Sequence, residues 1–152
     1  MVKSIKLSVV MLVMLLAGCA TDLKQSAQAA VGADVLTTTT GIGLGLAAES
    51  NPFLQSPIAL ALSGVARVAA IHYVDNLPEP QRTKSLARMS AMTWGVAVSN
   101  AVVIASASNP AGFATGILAA WMIYKNTEHV RLEAANCAVA VSIDPSVVCD
   151  FN

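Results

Sequence analysis

The sequence predicts an all-α fold, a small antiparallel bundle of about four helices held together through small residues. Three observations predict it. Prolines open successive segments in the same way, at Ser56-Pro57, at Pro80 and at Asn109-Pro110. Proline loses nothing in a first helical turn, and a Ser or Asn before it caps the free N–H groups. Second, no charge falls between Arg88 and Lys125, so Met89 to Tyr124 folds naturally as an apolar hairpin about Ser108-Asn109-Pro110. Third, small residues recur every four positions: Gly112, Gly116 and Ala120 on one edge, Ala91, Gly95 and Ser99 on another, and Ala97, Ala101 and Ala105 on a third. Such edges let helix backbones approach closely, in membranes and in tight soluble bundles alike.

The elements follow in order. Ala20 to Ala33 is small and polar and reads as a tether. Two signals compete over residues 34–50. Gly41 to Leu46 alternates as a strand would, and the Thr37 to Thr40 run favours extended backbone. The same stretch carries Gly41 and Gly45 at helix-packing spacing, and the helical character downstream tips the reading to helix. A helix from Pro57 to about Tyr73 follows, and Leu77-Pro78-Glu79-Pro80 makes a stiff joint. The next helix starts wet, with Gln81, Lys84, Ser85 and Arg88 on one stripe, and runs to about Ser108. The last runs from Asn109 to about Ala135, its end turning amphipathic with Glu128, His129, Arg131 and Glu133.

The N-terminus sets the address. Lys3 and Lys6 precede the apolar run Leu7 to Leu16, and Leu16-Ala17-Gly18-Cys19 follows. Ten residues are too few for a spanning helix, which needs about 20, and the order is that of a signal peptide. The motif resembles the lipobox of bacterial lipoproteins. The resemblance implies cleavage after residue 18, covalent lipid on Cys19 as the only attached group, and membrane lipid as a partner. Ala20 rather than aspartate after the cysteine implies the outer membrane, facing the periplasm. The leader together with Gly41/Gly45 and Gly112/Gly116 is also similar to the glycine-zipper lipoproteins, although the unbroken four-residue glycine steps of that family are missing. The resulting division is a leader over 1–18, a lipidated tether over 19–33, a helical domain over 34–136 containing the 89–124 hairpin, and a C-terminal segment over 137–152.

Composition narrows the function. Removing 18 of 152 residues leaves a modest single domain, whose seven cationic and nine anionic residues give a net charge of −2. That balance excludes a nucleic-acid surface. Only 12% of residues are charged, against about 25% in an average domain, so the chain is short of groups that keep a surface wet. Either close packing, an oligomer or a membrane must cover it. Cys137 and Cys149 form an even pair once Cys19 carries lipid, and an oxidising periplasm favours a disulfide between them, with two free thiols as the alternative. No cofactor or metal is expected, because His72 and His129 share no ligand spacing with the cysteines.

Other polar groups have structural readings. Arg67, within an apolar helix, is expected to pair with Asp75, Glu79 or another carboxylate, and Asn100 must find a partner if buried. His72 is expected to be half-buried near a helix end, and His129 with Glu133 to form a solvated helix pair. Trp94, Trp121 and Tyr124 fit either a membrane interface or a core. There is no nucleophile elbow, phosphate loop, HExxH or carboxylate pair on one face, so catalysis is not expected. The expected role is that of a lipid-anchored envelope protein that works by self-association or by binding other envelope proteins, as an assembly subunit or an exclusion factor. The alternative is a protein whose hairpin inserts, as an oligomer, to form a pore or alter permeability.

Overall fold

Each helix begins at a residue whose side chain can accept the first free N–H groups, or at a proline. The computed structural model describes residues 22–46, 56–144 and 146–147, with backbone alone over 128–139. Four helices are described: α1 (Leu23–Gly43), α2 (Pro57–Asp75), α3 (Gln81–Ser106) and α4 (Asn109–Ile143). The fold is all-α. Asp22 caps α1 by accepting from the Gln25 N–H at 2.7 Å, and Ser56 caps α2 by accepting from Ala59 N–H at 3.1 Å. Ser108 accepts from Ala111 N–H at 3.4 Å at the start of α4, whereas α3 starts behind Pro80 with no side-chain cap.

Stops are as local as starts. Gly45 closes α1 with a φ of 65°, a left-handed conformation that glycine takes without steric cost, while Leu46 N–H donates back to Gly41 O at 2.9 Å. Ala107 ends α3 in the same region, with a φ of 55° and its N–H on Val103 O at 2.7 Å. That tight turn sends α4 straight back along α3.

Pairings fix the topology. Ser26 lies beside Ser90, and Asp34 beside Asn100, so α1 and α3 run parallel. Lys24 meets Asp75, and Asp34 meets Arg67, so α2 runs antiparallel to α1. α4 runs antiparallel to α3 and, of the described helices, packs only on it; α2 packs chiefly on α1 and lightly on α3. The order across the body is therefore α2, α1, α3, α4, with α2 and α4 on opposite flanks.

The core is built from small residues. One cluster joins Ala30 and Ala33 to Trp94 and Ala97, with Ile123 against it. A second joins Ala27 and Val31 to Ile71 and Leu86. Alanine at these positions brings helix axes close and leaves little room for water between them.

Several sequence expectations are corrected. Residues 23–33 are not a tether: they are the first half of α1, and Ala27, Ala30, Val31 and Ala33 are core. Ser26 lies on the same inner face, bonded to Trp94, so polar and small residues share the buried stripe. The helix over 34–50 is real but stops at Gly43, and Gly45 lies outside it with nothing within 4 Å of a built Cβ, so it ends the helix instead of packing it. Gly41 is buried within α1. The domain does not end at 136, because α4 continues to Ile143. His72 is exposed, not half-buried.

Candidate functional site

The hairpin seam joins α3 to α4 through glycine. A Cβ built on Gly95 would stand 2.8 Å from Gly116 O and 2.8 Å from the Ala120 Cβ. One on Gly116 would stand 2.7 Å from Gly95 O, and one on Gly112 would stand 2.8 Å from Ser99 O and run into Val103. Each of the three would meet a backbone carbonyl oxygen, which cannot swing aside. Gly95, Gly112 and Gly116 are thus brought together across one seam, with Ser99 between them. Ala97 and Ala101 are buried, while Ala105 is exposed.

At mid-height a polar lock joins three helices. Asp34, 5% exposed, receives the Arg67 guanidinium on one carboxylate oxygen. Its other oxygen accepts from Asn100 Nδ2 at 3.2 Å, and the same nitrogen donates to Thr38 Oγ1 at 3.0 Å. Thr38 Oγ1 in turn donates to Asp34 at 3.4 Å. Arg67 therefore has a carboxylate partner, but neither Asp75 nor Glu79. Asn100 also has its partners. No buried side-chain nitrogen or oxygen among the described residues lacks a hydrogen bond, as the high cost of an unmet polar group in a dry interior requires. A smaller polar contact sits lower: Trp94 Nε1 donates to Ser26 Oγ at 3.2 Å, and Ser26 Oγ lies 2.7 Å from Ser90 Oγ. Trp94 is a core residue, 3% exposed, whereas Trp121 is 58% exposed.

Charge gathers at the end where α1 begins. Asp75 accepts from Lys24 Nζ at 2.7 Å and from Arg82 NH2 at 2.6 Å, and Arg82 NH1 donates to Glu79 at 3.2 Å. Hydrogen bonds from Lys24, then from Arg82, hold the Asp75 carboxyl below the ordinary carboxylate range. The Glu79 carboxyl is lowered as well, first through Thr83.

Between α1 and α2 an open apolar groove of about 690 Å³ is lined by Val31, Val35, Gly64, Val65 and Val68, with His72 at one end. The outward surfaces carry large apolar side chains. Ile58, Leu62 and Val65 are 63–74% exposed on α2, and Phe113, Ile117 and Trp121 are 56–69% exposed on α4. Neither the groove nor Asp34 as the hub of the lock was anticipated from sequence. The four-residue spacing of Phe113, Ile117 and Trp121 was available as a signal, but periodicity alone does not say whether a stripe faces in or out.

Among the described residues no three His, Cys, Asp or Glu side chains gather as a metal site. Cys19, Cys149 and the Cys137 side chain, and with them the lipid and the disulfide, lie outside the described residues, as do the His129 and Glu133 side chains. No protein-family model matches this chain, and no curated protein or solved structure does either.

Proposed function

We propose that this chain is a lipid-anchored envelope protein with a structural or interaction role, tethered through Cys19 to the outer membrane on its periplasmic side. The observation that supports this is the use made of polar groups. Asp34, Arg67, Asn100, Thr37 and Thr38 are spent on one another, whereas the surface offers apolar side chains to be covered. A body so arranged assembles with something; it does not process a substrate.

The test is chemical and positional. Radiolabelled palmitate should enter the full-length protein, and Cys19→Ser should abolish incorporation; a wild-type chain that takes up no label removes the anchor reading. Crosslinking in intact cells should then capture discrete products, either multimers of the chain or adducts with envelope proteins, and a wholly monomeric pattern removes the interaction reading.

The exposed apolar flanks favour a second reading, a membrane-inserting oligomer that forms a pore or alters permeability. Purified protein added to dye-loaded vesicles separates the two: release proportional to protein supports the pore, and retention of dye supports the assembly role.

A further inference from the structure

We infer that the helical body itself is embedded in the hydrocarbon of a lipid bilayer, with Tyr73, Trp121 and Tyr124 at the headgroup level beside a ring of charge. This goes beyond the anchor at Cys19 and does not depend on it.

Side-chain size is inverted relative to a water-soluble bundle. Of the 17 buried positions of α1 and α3, seven are alanine and two glycine, while Phe113 is 69%, Met92 70% and Ile58 74% exposed. In water the large apolar residues go inside; in lipid the solvent is as apolar as they are, and small residues take the interior so that backbones can meet.

The exposed apolar surface also wraps the body. Relative to Gly95, Met92 and Val96 are rotated by roughly 60° and 100° in one sense, at about 100° per residue. Relative to Gly116, Phe113 and Ile117 are rotated by the same amounts. Because α3 and α4 are antiparallel, all four come to the same side of their seam. Ile58, Leu62 and Val65 lie on the opposite flank, on a helix that does not touch α4. A protein partner docking on one face would leave the other bare. Lipid covers both.

Charge and height agree with that cover. The Gly95 contacts with Gly116 and Ala120 set Arg88 level with Lys125, and the Ser26 contacts with Ser90 and Trp94 set Lys24 near the same height, joined to Asp75. Above this level, residues 89–106 rise about 27 Å at 1.5 Å per residue, and residues 57–74 rise the same. A bilayer's hydrocarbon is about 30 Å thick. Among the described residues, the only charges within that height are Asp34 and Arg67, paired with each other inside the bundle, as charges at membrane depth must be. Tyr73, Trp121 and Tyr124 fall within a turn of the charged level, where amphipathic rings favour the membrane–water boundary. The charged end is also the end at which α1 starts, at Leu23, only four residues after Cys19 in sequence, so acyl chains on Cys19 and the helices would enter from the same face.

The test uses the wild-type protein in its native membranes. An apolar carbene-generating probe dissolved in the bilayer is photolysed, and labelled peptides are mapped. Label on outward residues of both 57–73 and 109–122, with none over 76–88, is the expected result; flanks that stay unlabelled, or label on one flank alone, overturn the inference. Depth gives a second reading. In vesicles of phospholipid brominated at shallow or deep positions, Trp121 of the Trp94→Phe variant should be quenched most by the shallow bromines. A Phe113→Trp probe, with Trp94 and Trp121 both replaced by Phe, should be quenched most by the deep ones. Equal depth for the two positions overturns embedding in favour of a body lying on the surface. The mass of the N-terminal peptide from the same samples reports Cys19 lipidation separately, so each idea fails on its own readout.

Discussion

The two outer helices are attached in opposite ways. α4 is joined to α3 by close contact of backbone with backbone, through glycines whose missing side chains define the fit. α2 is joined to α1 by directed polar contacts, the Arg67–Asp34 pair and the Lys24–Asp75 pair, and by Ile71 packed on Ala27 and Val31, and leaves an open groove beside them. Close packing is non-directional and tolerates no added atom. A charge lock tolerates space around it but depends on each partner. The same apolar sequence character thus supports two kinds of joint, with different vulnerabilities.

Removing a lock partner should have the largest effect. Asp34→Ala leaves Arg67 without its carboxylate and Asn100 with only the Thr37 and Thr38 hydroxyls as acceptors. Breaking a buried pair costs about 3–5 kcal/mol, and the low end, about 3 kcal/mol, applies here because the Arg67 side chain is 42% exposed. Denaturant unfolding in mild detergent measures it. An Asp34→Ala/Arg67→Met double variant should recover part of the loss; equal stability of the single and double variants would show that the lock is not a unit.

Next comes the seam. Gly95→Ala or Gly116→Ala places a methyl group against backbone carbonyl oxygen and should cost about 1–3 kcal/mol as overpacking. Gly32→Ala on α1 is the control. It meets nothing within 4 Å and should stabilise by about 0.5–1 kcal/mol, because alanine restricts the unfolded chain. Opposite signs in the same unfolding assay would support a comparison based on space, and like signs would break it.

A smaller effect separates the two joints by pH. The Asp75 carboxyl is held below its ordinary value by Lys24 and Arg82, so the folded state binds its proton less readily than the unfolded chain does. The stability this contributes is present above the ordinary value of 3.8 and is lost as pH falls through the lowered one. Asp75→Asn should therefore flatten the acid limb of a stability-against-pH curve, whereas Gly95→Ala should shift the whole curve without changing that limb. An Asp75→Asn curve parallel to the wild type would remove Asp75 from the α1–α2 joint.

What could be read in the sequence was local. Ser56 caps its helix as read, because a cap is decided within four residues, whereas the last helix is capped by Ser108, one residue before the Asn109 expected; the fold class followed from such signals. The start of α1 was hidden for a physical reason. Its buried positions are Ala27, Ala30, Val31 and Ala33, of which only Val31 is larger than a residue typical of a small-residue linker. Its threonines accept helical backbone by donating their hydroxyls to carbonyls one turn back, Thr37 to Ala33 at 2.9 Å and Thr40 to Leu36 at 2.8 Å. The Arg67 partner was out of reach for another reason. Asp34 lies 33 residues away, and only the antiparallel register of α1 and α2 brings the two together.

The parallel course of α1 and α3 has a consequence for biogenesis. α3 and α4 are neighbours in the chain and can zip from their shared turn, closing only a short loop. α1 emerges from the ribosome before the other described helices, yet the guanidinium that neutralises Asp34 is synthesised 33 residues later and the amide that completes its coordination 66 residues later. Until both arrive, α1 carries a carboxylate met only by its own Thr38 on the face destined for the interior. Of the described helices, the first to be made waits longest for its partners.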